Sequence, residues 1–107
     1  VIKVEYTKFT DIYPIFLNSI QDFEIQHLFA EDVETAENMM EYFLIKAIPK
    51  FRNCEKNIKN VDLTNKTFLD TLDLEEIVII SELMELSWME RVINDITQMN
   101  LSLSDND

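Results

Sequence analysis

The sequence predicts an all-α fold: a small helical bundle of three main helices plus short helical turns, with an extended N-terminal arm. Three observations predict it. Apolar residues recur at helical spacing through two long stretches. Glycine is absent from the 107 residues, and Asn, Asp and Thr stand where the chain must turn. The composition is 47% apolar and 28% charged, which is globular rather than disordered. At this size the chain reads as a single helical domain over 1–107, with an arm at 1–8 and a polar tail at 100–107.

The arm is β-leaning. Ile2, Val4 and Tyr6 fall on one side of a period-2 repeat, with Lys3 and Glu5 on the other. A strand this short must pair with something or lie on another surface. Thr10 or Asp11 then caps a first helix whose apolar face is Ile12, Tyr13, Phe16, Leu17 and Ile20. Pro14 is expected in its first turn, where the missing N–H does little harm. Phe23 to Phe29 reads as a short helical turn or loop.

The clearest element begins near Glu31-Asp32. Ala36, Met39, Met40, Phe43, Leu44, Ala47, Ile48 and Phe51 form a stripe at alternating spacings of three and one. Acids crowd its first turns and Lys46, Lys50 and Arg52 its last, as the helix dipole favours. Pro49 predicts a kink or an early end. Residues 53–72 read as a polar connector with a short helix around Lys66 to Thr71, pinned to the core by Leu63, Phe68 and Leu72. Asp73 and Glu76 have capping-box spacing and open the last helix. Its apolar residues exceed one stripe, so it is expected to be buried on much of its circumference, with Trp88 as a core anchor. The helical period runs to about residue 99.

The missing glycine excludes phosphate loops, dinucleotide fingerprints, nucleophile elbows and EF-hands, all of which need it where backbone turns or meets a ligand. The single Cys54 forms no intramolecular disulfide and favours a reducing compartment. No apolar run approaches the ~18 residues of a membrane span, and no signal-peptide pattern is visible. His27 is the only histidine. A Cys–His pair would need Cys54 beside it, and zinc would need more ligands. One E-x-x-H, Glu24 to His27, occurs, whereas a di-metal bundle uses two. Catalytic residues, metal ligands and cofactors are therefore expected to be absent.

The net charge of −12 is segmented. Residues 1–45 carry −7, residues 46–66 carry +4 and residues 67–107 carry −9. The basic middle holds Lys46, Lys50, Arg52, Lys56, Lys59 and Lys66. A chain this acidic is repelled by nucleic acid overall, so the basic middle of one copy is expected to meet an acidic flank of the next.

The segments Phe16-Leu17-x-x-Ile20-x-Asp22 and Tyr42-x-Leu44-x-x-Ala47-Ile48-x-x-Phe51-x-x-Cys54 carry a resemblance. So do Phe68, Leu72, Glu75-Glu76-Ile77, Leu83-Met84, Trp88 and Leu103-Ser104-x-x-Asp107. Together they resemble the small helical head-to-tail connector proteins, of neck or adaptor type, from tailed bacteriophages of Gram-positive hosts. The pattern leads one to expect a break after the tryptophan, yet Met89-Glu90-Arg91-Val92 continues a helix. The resemblance implies no enzyme activity. It implies a homo-oligomer, commonly a twelve-fold ring, in the virion neck between head and tail. Its partners would be the portal protein and other neck or tail proteins, with no membrane. DNA would pass through without sequence-specific binding. Ile2, Val4 and Tyr6 of the arm, Lys46, Lys50, Arg52, Lys56 and Lys59 of the basic middle, and Leu101 and Leu103 are the candidate subunit or portal contacts. Two alternatives from other classes stand beside it. One is an acidic helical binding module or DNA mimic that masks a basic partner surface. The other is a carboxylate-metal enzyme.

Overall fold

The computed structural model describes residues 5–104. In chain order the elements are α1 (Phe9–Ser19), α2 (Phe23–Glu31), α3 (Val33–Ala47), a 3₁₀ turn (Ile48–Lys50), β1 (Val61–Asp62), β2 (Thr67–Phe68) and α4 (Leu74–Ser104). The molecule is mostly helical but not all-α, because β1 and β2 form an antiparallel hairpin pairing Val61 with Phe68 and Asp62 with Thr67.

The hairpin replaces the short helix expected at 66–71. The Asp62 carboxylate accepts the N–H groups of Thr64 and Asn65, both at 3.0 Å, which folds the turn back on itself. Lys66 closes the turn with φ 59°, a left-handed position that a chain with no glycine must give to another residue. So small a hairpin is marginal alone. It is completed by the chain's own N-terminal segment. Phe68 N–H donates to Thr7 C=O at 2.9 Å, Phe9 N–H donates to Lys66 C=O at 2.9 Å, and Lys8 bridges Thr67. The extended segment at 5–8 therefore lies on this molecule rather than standing free as an arm.

α1 starts at Phe9 with Lys8 at the cap position, ahead of the expected caps Thr10 and Asp11. Asp11 acts from inside, its carboxylate accepting Lys8 N–H at 3.0 Å. Pro14 consequently lies beyond the first turn, on an exposed face. There it deprives the Thr10 carbonyl of its helical donor while leaving it open to water. Residues 23–31 form a full helix. Asp32 ends α2 and starts α3 in one residue. Its N–H reaches Leu28 C=O at 2.7 Å, and its carboxylate accepts Thr35 N–H at 3.2 Å. α3 ends early at Ala47, as Pro49 removes the next ladder donor and the chain tightens into the 3₁₀ turn.

The core lies where α1, α3 and α4 meet. Phe9, Ile12, Phe16, Met40, Phe43, Leu44, Ala47, Phe68, Ile80 and Met84 are fully buried there. Phe9 meets Phe68 edge-on at 5.4 Å, and this contact joins the hairpin to the bundle. Phe68 and Leu72 pin the connector as expected. Leu63 does not: it sits at the hairpin tip and is half exposed. The expected capping box is present, with Glu76 N–H on the Asp73 carboxylate at 2.8 Å and Asp73 N–H on the Glu76 carboxylate at 2.9 Å.

Candidate functional site

α4 is 31 residues long, about 46 Å at the α-helical rise, in a molecule 69 × 34 × 23 Å. No break follows Trp88. The helix continues through Leu101 and Leu103, which are turns of α4 and not an irregular tail. One face of α4, with Ile77, Ile80, Ser81, Met84, Ser87 and Trp88, packs on the bundle or is buried against it. The other face carries Leu86, Met89, Ile93, Ile96 and Leu103, with Met99 toward its edge, and each is about half exposed or more. Nine residues, about two and a half turns, separate Met84 from Ile93, so the two side chains leave opposite sides. The expectation that α4 is buried on much of its circumference is therefore corrected. The surplus apolar residues form a second stripe, and the other described residues pack on one side only. From Ile93 to Leu103 every residue is exposed. An apolar face of this extent marks an interaction surface.

The basic middle is divided. Lys50 pairs with Glu90 at 3.0 Å, Lys66 with Glu41 at 2.9 Å, and Lys56 with Glu76 at 3.6 Å. Lys56 also donates to Thr71 C=O at 2.9 Å. These three lysines tie the connector and the 3₁₀ turn to the helices. Lys46 lies over the Tyr42 ring, 5.9 Å from its centroid. Arg52 and Lys59 line an open groove with Cys54, Asn57 and Ile58. Tyr6 is exposed beside the hairpin. Ile2 and Val4 lie outside the described residues.

A cavity of about 200 Å³ opens between α2 and α4. Ile25, Leu28, Met39 and Val92 line it beside Asp22, Glu24, His27, Glu31, Trp88, Arg91 and Asp95. His27 Nε2 lies 3.2 Å from Glu31, both side chains largely exposed. The E-x-x-H pair thus sits at the rim, and among the described residues no cluster of His, Cys, Asp and Glu is arranged to hold a metal ion. Cys54 is elsewhere. Its thiol lies 3.7 Å from the Glu76 carboxylate. Burial, with Glu76 adding to it, pushes that thiol up from its ordinary value, against a partial offset from the Lys56 N–H. Tyr13 is raised as well, first by burial and then by the carboxylates of Glu41 and Glu37.

Sequence reasoning placed Trp88 in the core but missed its polar role: the indole N–H donates to Asp22 at 2.8 Å. A half-buried tryptophan needs such an acceptor, and an aspartate heading α2 was the available signal. No helix among the described residues is long and apolar enough to cross a membrane. No protein-family model, curated protein or solved structure matches the chain.

Proposed function

We propose that the chain is a structural subunit that works by assembly: a component of a phage head-to-tail connector ring, seated between the portal and the tail. The observation that carries this reading is the second apolar face of α4, which extends past the bundle and has no neighbour among the described residues. A subunit whose function lies in its contacts needs such a face. The resemblance carried by the Phe16, Tyr42, Phe68 and Trp88 segments directs the reading toward the neck of a virion. An acidic channel wall would suit DNA transit, because like charge disfavours adhesion of the polyanion. Negative-stain microscopy of the protein mixed with portal tests it. Rings docked on portal are expected, and a chain that ignores portal overturns the reading.

A second reading is favoured by a different observation. Lys50, Lys56 and Lys66 are engaged by the chain's own carboxylates, which leaves a surface dominated by acids at a net charge of −12. On this reading the protein masks a basic partner surface. Competition with DNA for that partner, weakening as salt rises, supports it, and salt-independent binding counts against it.

A further inference from the structure

The spacing of the exposed α4 face suits a helical occupant, and its area and charge layout favour a second copy of the chain. Leu86, Met89, Ile93, Ile96, Asn100 and Leu103 succeed one another at intervals of three, four, three, four and three. This is an a/d heptad seam, the pattern by which one helix packs along another of the same kind. The packed side of α4, Ile77, Ile80, Met84 and Ser87, has the same spacing and is covered by helices of the bundle. We infer that two copies of the chain associate in solution through this seam, with their α4 helices antiparallel. The inference rests on reading this face as a docking surface, as above, but not on the ring.

Register and direction follow from the residues. In an antiparallel pair centred between Asn94 and Asp95, Leu86 meets Leu103 of the second copy, Ile93 meets Ile96, and Met89 meets Asn100. Asn100, the one polar seam residue, then lies toward the end of the overlap, where its amide stays within reach of water. Val92 and Met99 flank the same side of the seam and extend its apolar width across the two copies. A parallel pair would instead set Glu85 of each copy beside Glu90 of the other, and Glu82 would face Glu82. Antiparallel pairing keeps these acids apart. The bundle packs on the opposite side of α4, so it leaves the seam open.

The area is sufficient. Leu86 and Met89 are 48% exposed, Ile93 57%, Ile96 54%, and Met99 and Leu103 64%. At roughly 100 Å² each, the two copies together would bury about 1,200 Å², the lower end of specific interfaces. The exposed end of α4 alone, residues 93–103, would be marginal as an isolated helix, but packing on the bundle already holds the N-terminal half of α4, which favours propagation into the seam.

Sedimentation equilibrium on the full chain tests the inference. The mass is expected to rise from 12.7 kDa toward twice that value with concentration. The double variant Ile93→Glu, Ile96→Glu should raise the midpoint at least about tenfold, because it places charges in the seam. Gln98→Glu adds the same kind of charge on the far side of α4 and should leave the midpoint unchanged. Unaltered helical circular dichroism and Trp88 fluorescence would show that the variants are folded. In a Cys54→Ser background, Leu86→Cys mixed with Leu103→Cys should cross-link. Leu86→Cys alone should not, its two copies lying roughly 25 Å apart along the seam. Self-cross-linking of Leu86→Cys overturns the antiparallel register. A chain that stays monomeric up to about 1 mM overturns the inference, even if it still joins portal. Dimers through α4 that ignore portal support it and remove the ring reading.

Discussion

The Trp88 indole N–H donates to Asp22 Oδ2 at 2.8 Å while Asp22 Oδ1 accepts Ile25 N–H at 3.1 Å, so one carboxylate both starts α2 and holds it to α4. Asp22→Ala removes the cap and a part-buried hydrogen bond to a charged group together. A loss of about 2–4 kcal/mol is expected in urea unfolding, with a shift in Trp88 emission. Asp22→Asn keeps a capping oxygen and should cost about half as much. Equal losses for the two variants would mean that the cap contributes little and that the Trp88 contact carries the loss.

Ile80 and Ile93 lie on one helix and differ only in what covers them. Ile80 is fully buried and Ile93 is 57% exposed. Ile80→Ala should cost about 2–5 kcal/mol through the cavity it leaves. Ile93→Ala, measured on dilute protein, should stay within about 0.5 kcal/mol of the parent. A large loss at Ile93 under those conditions would show that this face is covered within a single chain.

The Thr7 hydroxyl accepts Leu72 N–H at 2.8 Å in a buried setting. Thr7→Val keeps the shape and leaves that N–H unpaired, for a loss of about 1–3 kcal/mol, whereas Thr7→Ser should cost under about 1 kcal/mol. Thermal unfolding of the pair separates the hydrogen bond from packing.

Asp32, Asp62 and Asp70 titrate below the ordinary aspartate range because donors favour their charged forms. The donors are the Thr35 hydroxyl and then its N–H at Asp32, the Asn65 N–H and amide at Asp62, and the Asn57 and then Thr71 N–H groups at Asp70. A carboxyl lowered on folding contributes stability that is present in full above its unfolded pKa and is lost as pH falls through the folded one. Tm should therefore hold from neutral pH to about 5 and decline below about 4. Asp62→Asn should flatten part of that acid limb. A Tm that falls between pH 7 and 5 would point to other groups.

Cys54 should alkylate more slowly at mildly alkaline pH than a free thiol, since burial first and Glu76 among the lesser causes raise it. Glu76→Gln retains an oxygen for the capping box and removes the charge. Faster alkylation without loss of helix is the expected result, and an unchanged rate would leave burial as the whole cause.

What the sequence revealed was local. The α3 stripe from Ala36 to Ala47 was legible because period 3.6 binds residues three and four apart. The Asp73–Glu76 box was legible because both partners lie within one turn. The hairpin was not, since its completing bonds join Thr7 to Phe68 across most of the chain. α2 was underestimated because one buried residue, Ile25, gives almost no stripe. Periodicity marked the second face of α4 as apolar but carried no information on which neighbour covers it. Three lysines of the basic middle were assigned to other molecules because their acids, Glu41, Glu76 and Glu90, are near only after folding.

Lys66 stands in a left-handed position where a glycine would carry no side chain, and its ammonium reaches both oxygens of Glu41. The turn is thereby moored to α3 by a charge, while Thr7 and Lys8 are moored to the turn by backbone bonds. Residues 5–9 and 61–72 thus form one opening unit that added salt should loosen before the helices. In hydrogen exchange these two stretches, remote in sequence, would lose protection together.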